Sequence, residues 1–224
     1  AEGVDVVFAP SVGAMYPKGA QTRVTVSDLT RYLCGPHRPG HFEGVTTVVA
    51  KLFHLTGPCV AVFGRKDYQQ WRVIERMVQD LDFPVEVVGM PKVREADGLA
   101  MSSRNAFLGP EVRPRALGIL MGLKAALGAF AAGERSAGAL RRLARDPIER
   151  SFDSVDYVEV ADPETLVPYA DDQQTAERAL VAAAARLAGT RLIDNVVLGE
   201  PIAHTLDALA RPVGTAVGVV GGSG

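Results

Sequence analysis

Three short runs that are apolar at nearly every position, residues 4–9, 59–63 and 85–89, mark the first part of the chain, and residues between the last two repeat with helical periodicity. Strands without polar alternation are buried on both faces. When such strands alternate with amphipathic helices, the arrangement that buries them is a parallel sheet built from βαβ units. The first part of the chain is therefore expected to be α/β. The run at 4–9 reads as a buried strand ended by Pro10, because proline cannot donate to a ladder, and residues 23–26 alternate as a second, edge strand.

Residues 35–40 hold two glycines and two prolines and read as loop. Beyond it Val45, Val48, Val49, Leu52 and Leu55 draw one buried face of a helix that Gly57-Pro58 stops. A second helix follows Gly64, with Trp71, Ile74, Met77, Val78 and Leu81 on one side. After Pro91 the pattern changes. A polar loop covers residues 93–105, helical stretches cover 111–132 and 136–145, and runs at 154–160, 178–187 and 190–198 suggest a small antiparallel sheet packed by helices. The expected organisation is one domain over 1–92, a second over 93–200, and a disordered tail over 201–224 that ends Gly221-Gly222-Ser223-Gly224.

Charge excludes some partners. Lys plus Arg number 24 against 26 Asp plus Glu, so no field strong enough to collect nucleic acid or an anionic membrane is expected. The longest apolar run, 179–185, is far shorter than the roughly 20 residues that span a bilayer. Only two cysteines occur, Cys34 and Cys59, without CxxC spacing, which points to a reducing cytoplasm and away from disulfide or zinc scaffolds. No P-loop, nucleophile-elbow, zincin or dinucleotide motif is found.

Two segments can carry chemistry. Phe63-Gly64-Arg65-Lys66-Asp67-Tyr68-Gln69-Gln70 sits where a strand gives way to a helix, the place where ligands bind in open α/β sheets. Gly64 would let a nucleotide approach the backbone, Lys66 meets phosphate charge, Asp67 accepts from ribose hydroxyls, and Gln70 faces the same side. The same Asp-x-x-Gln spacing is also that of a helix capping box, and one carboxylate can serve both ends. The second segment runs from Val93 to Asn105. Its Ser102-Ser103-Arg104 could cradle a polyphosphate, or could belong to a solvated linker with Arg104 in a surface ion pair. His37 and His41 are four apart, but Pro36, Pro39 and Gly40 deny them the helix that zinc ligation would need, which leaves loop packing or a substrate-facing wall. His54 and His204 read as structural.

Four blocks, Arg38-Pro39-Gly40-His41-Phe42-Glu43-Gly44-Val45, Lys51-Leu52-Phe53, residues 63–70 and Arg94 to Asn105, taken in order and at these intervals, resemble the signature blocks of the pantothenate synthetase (pantoate–β-alanine ligase) family over roughly residues 1–198. The resemblance implies a Rossmann-like domain of the HIGH-type nucleotidyltransferase superfamily, a smaller α+β C-terminal lid, and a cytoplasmic homodimer. It implies a ligase that joins pantoate to β-alanine through a pantoyl adenylate, releasing AMP and pyrophosphate, with ATP as substrate and Mg²⁺ as its companion. Carried over by position, Gly64, Arg65, Lys66 and Asp67 hold ATP, Ser102, Ser103 and Arg104 grip its polyphosphate, and Val93 and Met101 line the adenine. Gln70, Val48 and Val49 receive pantoate.

Arg65 stands where Glu or Gln is usual and adds charge beside the phosphates. The family's HIGH-like histidine pair and a second pantoate-binding Gln belong before Ala1, so these 224 residues are expected to be part of a longer chain, inactive alone. The rival readings are another HIGH-superfamily adenylyltransferase and a non-catalytic homologue kept as a binding or dimerisation module.

Overall fold

The computed structural model describes residues 3–201. Its elements, in chain order, are α1 (Val12–Met15), α2 (Cys34–His37), α3 (His41–Thr56), β1 (Cys59–Gly64), α4 (Tyr68–Asp80), β2 (Val85–Met90), α5 (Arg113–Ala116), α6 (Gly118–Ala131), α7 (Ala137–Ser151), β3 (Ser154–Ala161), β4 (Ala179–Leu187) and β5 (Thr190–Leu198). Tight 3₁₀ turns at Arg65–Asp67 and Ser103–Phe107 carry the two candidate segments. The expected tail and His204 lie outside the described residues.

β1 and β2 pair in parallel, Cys59 beside Val85 through Gly64 beside Met90. A βαβ unit formed by β1, α4 and β2 is what the apolar runs demanded. Helices α3 and α4 bury Val49, Ala50, Phe53, Ile74, Met77 and Val78 against one face of this pair. The other face is open among the described residues, with Val60 and Val62 61% and 63% exposed, so the expectation of a sheet covered on both faces holds for one face only.

The second sheet, in the order β3-β4-β5, is antiparallel. Its β4–β5 hairpin turns through Ala188 (φ 47°) and Gly189 (φ 77°), the left-handed pair a two-residue hairpin needs. Alternate residues of β4 leave on opposite faces. Val181, Ala183, Ala185 and Leu187 pack with Leu123, Leu140 and Ile148 of α6 and α7, whereas Leu180 and Ala182 pack with Leu33, Tyr68 and Leu166. The sheet thus lies between its own helices and the first half of the chain. α6 and α7 touch closely at Gly122, where a Cβ would collide with the Ala144 carbonyl oxygen. Residues Arg113–Ala131 are apolar and long enough to cross a membrane by composition, but they form the bent α5–α6 pair packed on this core.

Several sequence expectations need correction. Residues 4–9 form no strand, and Val4, Val6, Val7 and Phe8 are exposed, because no strand among the described residues lies alongside to take their backbone groups. Residues 23–26 join no sheet: the Val24 amide donates to Thr47 Oγ1 (3.0 Å) and its carbonyl accepts from Thr46 Oγ1 (2.5 Å), so side chains of α3 replace a ladder. Part of the loop at 35–40 is the single helical turn α2. Leu55, placed on the buried face of α3, is exposed, and the face that is buried carries Phe42, Thr46, Val49, Ala50 and Phe53. Helix α7 does not stop before Pro147 but runs through it to Ser151.

Candidate active site

The two candidate segments meet on one cleft. Lys66 from the turn after β1 lines it together with Ser102, Arg104 and Asn105 of the loop that follows β2, and Arg191 and Asp194 of β5 complete the wall. Lys66 also borders the adjoining cleft, where Asp67 and Gln70 face Arg38, His41 and Tyr157. Lys66 and Arg104, 38 positions apart, thus line the same cleft, while Asp67 lines the adjoining one.

Local structure explains how each side chain is presented. Gly64 ends β1 in extended backbone with nothing within 4 Å of where a Cβ would stand, so the strand end is open to a ligand. Asp67 occupies the position before α4 but makes no capping hydrogen bond, so the capping-box reading is not realised and its carboxylate is uncommitted. Among the described residues the side chains of Lys66, Asp67, Gln70, Ser103 and Arg104 have no hydrogen-bond or ion-pair partner within the protein, although most charged groups around them do. Of these, Lys66 and Arg104 line the first cleft, Lys66, Asp67 and Gln70 the second, and Ser103 neither; unpartnered polar groups at a cleft are poised for a ligand.

The second segment is no solvated linker. Arg94 pairs with Ala100 in an isolated antiparallel bridge, and Met101 donates its amide to the Val93 carbonyl (3.0 Å). Val93 and Met101 are thereby neighbours, both about half exposed, and line neither cleft. Arg94 is buried, donating through Nη1 to the Gly98 carbonyl (3.1 Å) and to Asp194 (2.5 Å). Gly98 takes φ +94° at the turn, where Leu120 also leaves no room for a side chain. Asn105 Nδ2 donates to Glu95 (2.5 Å) and to the Ala100 carbonyl (3.0 Å), and Arg113 Nε donates to Asp97 (2.7 Å), holding that carboxyl below its usual value. The Ser102 hydroxyl accepts from the Arg104 amide (3.2 Å) and starts the 3₁₀ turn that presents Ser103 and Arg104.

The electrostatics favour an anion. Partial burial, then the guanidinium groups of Arg38 and Arg191, hold the His41 ring below its ordinary pKa, with Asp67 opposing and Arg104 adding to the fall. His41 Nε2 lies 2.9 Å from Arg38 Nη1. His37 instead stacks obliquely on Tyr157, with ring centroids 5.7 Å apart. His41 lines the second cleft, and His37 packs in the loop against β3.

Not every candidate reaches the cleft. Arg65 points away from it: its Nη2 donates to both carboxylate oxygens of Glu200 (2.9 and 2.8 Å), its guanidinium lies 5.2 Å from the Trp71 ring, and its side chain is 13% exposed. Its charge is therefore neutralised locally and is not added to either cleft. Val48 and Val49 lie with the core cluster of Phe53, Ile74 and Met77 and line neither cleft. Sequence reading also missed residues: Arg191, Asp194 and Asn195 border the clefts from β5, and nothing local marks them except that charged and amide groups interrupt an otherwise apolar strand. Gln69, beside the candidate Gln70, is buried, accepting from the Cys34 amide (2.9 Å) and donating to the Leu29 and Tyr32 carbonyls (both 2.8 Å).

Comparison with known proteins gives one family. A family model described as pantoate-beta-alanine ligase matches residues 1–197. The chain is 55% identical over 201 residues to a pantothenate synthetase of Geotalea uraniireducens (strain Rf4), covering 89% of this chain and 70% of that one. It is 52% identical over 197 residues to the pantothenate synthetase of Moorella thermoacetica, covering 88% and 69%. A crystal structure of pantothenate synthetase from Thermus thermophilus superposes with TM-score 0.80 at 47% identity, over 87% of this chain and 70% of that one. A pantoate-beta-alanine ligase from Francisella tularensis, complexed with beta-gamma ATP and beta-alanine, superposes with TM-score 0.59 at 26% identity, over 83% and 61%.

Proposed function

The chain belongs to the pantoate–β-alanine ligase family, and from that premise we propose that its converging polar segments grip the triphosphate of ATP. The reaction of the family is the ATP-dependent condensation of pantoate with β-alanine. A pantoate carboxylate oxygen attacks the α-phosphorus, the bond to the β-phosphate breaks, and pyrophosphate leaves with the electron pair. The amine of β-alanine then attacks the acyl carbon of the adenylate, loses a proton, and expels AMP to give pantothenate.

In this reading Lys66 and Arg104 neutralise the charge that builds on the departing pyrophosphate, and Ser102 and Ser103 donate to its oxygens. Asp67 accepts from the ribose, Gly64 lets the nucleotide lie against the strand end, and Val93 with Met101 forms the apolar rim for adenine. Gln70 donates to pantoate in the second cleft, beside His41 and Arg38. The observation that supports this assignment is the uncommitted state of Lys66 and Arg104 at the first cleft and of Asp67 and Gln70, beside Lys66, at the adjoining one. Mg²⁺ enters the same reading. Asp194, the other carboxylate at the cleft, is engaged by Lys92 and Arg94, so the donors present fit an ion that arrives on the phosphates with its water. Such an ion shields the phosphate charge. The reading includes two domains divided near residue 92, in keeping with separate core clusters on either side. It also includes a homodimer in a reducing cytoplasm, where the thiols of Cys34 and Cys59 remain free.

ATP–pyrophosphate exchange dependent on pantoate tests the assignment. Lys66→Ala and Arg104→Ala are each expected to lower exchange about 10²- to 10³-fold, the loss typical of removing one transition-state charge donor. Full exchange from either folded variant overturns it.

A further inference from the structure

Asp194 and Asn195 are consecutive on β5, and consecutive side chains of a strand leave on opposite faces. On one side Asn195 Nδ2 donates to the carbonyls of Arg65 (3.0 Å) and Lys66 (2.8 Å), the backbone of the first nucleotide segment. On the other, Asp194 accepts from Arg94 Nη1 (2.5 Å), which also donates to the Gly98 carbonyl at the turn leading to Ser102–Arg104. Lys92 Nζ closes the circuit, donating to Asp194 (3.0 Å), to the Asn195 carbonyl and to Asn195 Oδ1 (3.2 Å). The side chains of Lys92, Arg94 and Asp194 are all at least nine-tenths buried. The bridge reaches the first segment through Asn195 and the second through Arg94, and Lys92 links the two β5 residues to each other.

Adhesion between the two halves does not call for such a device. Leu33, Tyr68, Leu180 and Val197 already supply an apolar contact there. Burying two cations around one carboxylate carries a large desolvation cost, so a buried ion cluster is weak evidence for stability. What directional bonds add over apolar packing is a fixed geometry. Supporting contacts of this kind hold reacting groups in place, and a displacement of about 1 Å can lower a rate about 10²-fold.

We infer that Asp194 and Asn195 are positioning residues: through them β5 acts as the spacer that holds the Lys66 turn and the Ser102–Arg104 turn at the separation a single triphosphate spans. The inference rests on the cleft reading given above. It requires that loss of the bridge damage the step in which pyrophosphate leaves, and spare the step that follows its departure.

The test compares the two half-reactions in the full-length protein carrying Asn195→Ala. ATP–pyrophosphate exchange should fall about 10- to 100-fold with a raised KM for ATP, in line with a small misplacement of the phosphate grip. Attack of β-alanine on supplied pantoyl adenylate should stay near the parental rate. Asn195→Asp keeps the side-chain size but cannot donate to the two carbonyls, and should show the same split. A folded variant that exchanges at the parental rate overturns the inference, as does an equal fall in both half-reactions accompanied by a lower Tm, the mark of a purely structural bond. Arg104→Ala separates the two failures. Exchange that survives it refutes the cleft reading itself, whereas exchange lost there but retained in Asn195→Ala refutes the spacer alone.

Discussion

β1 and β4 are both apolar strands, yet they live in different surroundings. In β1 every second residue is exposed; in β4 all but Arg186 are buried. The difference lies in neighbours. β4 has a strand on each side, helices α6 and α7 over one face and the Leu33–Tyr68 cluster under the other, whereas β1 has one ladder and one covered face among the described residues. Apolar content therefore reports that a strand wants burial, not how much it obtains. The two halves also contribute differently to the clefts: the less covered half presents Lys66, Asp67 and Gln70, and the packed half supplies Arg104 and the strand β5 that bonds the backbone at Arg65 and Lys66.

The division can be broken experimentally, and the largest effect is expected in the packed sheet. Leu180→Ala removes a fully buried side chain at the junction of the halves and should lower unfolding free energy by about 2–5 kcal/mol, read by urea denaturation. A loss no larger than that of a surface substitution means that β4 is not covered on that face. A smaller effect tests the docking of the halves directly. Burial, Arg38 and Arg191 depress the His41 pKa, and Arg191 reaches it from β5. Arg191→Gln removes a positive charge that opposes protonation, so the His41 pKa followed by NMR should move up toward 6.5. An unmoved titration means that β5 does not approach α3 as described. The sign carries to stability: a histidine held below its unfolded value contributes fully above about pH 6.5, and that contribution falls as pH drops toward its folded value. The smallest effect is expected on the open face, where Val62→Thr should change stability by no more than about 0.5 kcal/mol. A larger loss shows that this face is covered in solution.

Much of the architecture was legible because periodicity is a property of contiguous residues. The apolar run at 59–63, the helix that follows, the strand at 85–89 and the final hairpin all form close to where their patterns put them. The run at 4–9 shows the limit: its pattern is that of a strand, but a strand exists only when another chain segment accepts its backbone groups, and among the described residues none does. The candidate site divides in the same way. Lys66, Ser102 and Arg104 stand together at the first cleft, with Asp67 and Gln70 at the second. Arg65 carries the same local promise as Lys66, but the structure pairs it with Glu200, a residue 135 positions away.

By itself the chain determined the kinds of elements and their order, because caps, breakers and repeat spacing act over a few residues. Tertiary structure alone decided that Asp67 leaves its capping role unfilled, that Arg65 turns from the cleft, and that Asn195 of β5 grips the backbone at Lys66 across 129 positions. Such contacts depend on where whole layers of the fold come to rest against one another, and no local pattern encodes that placement.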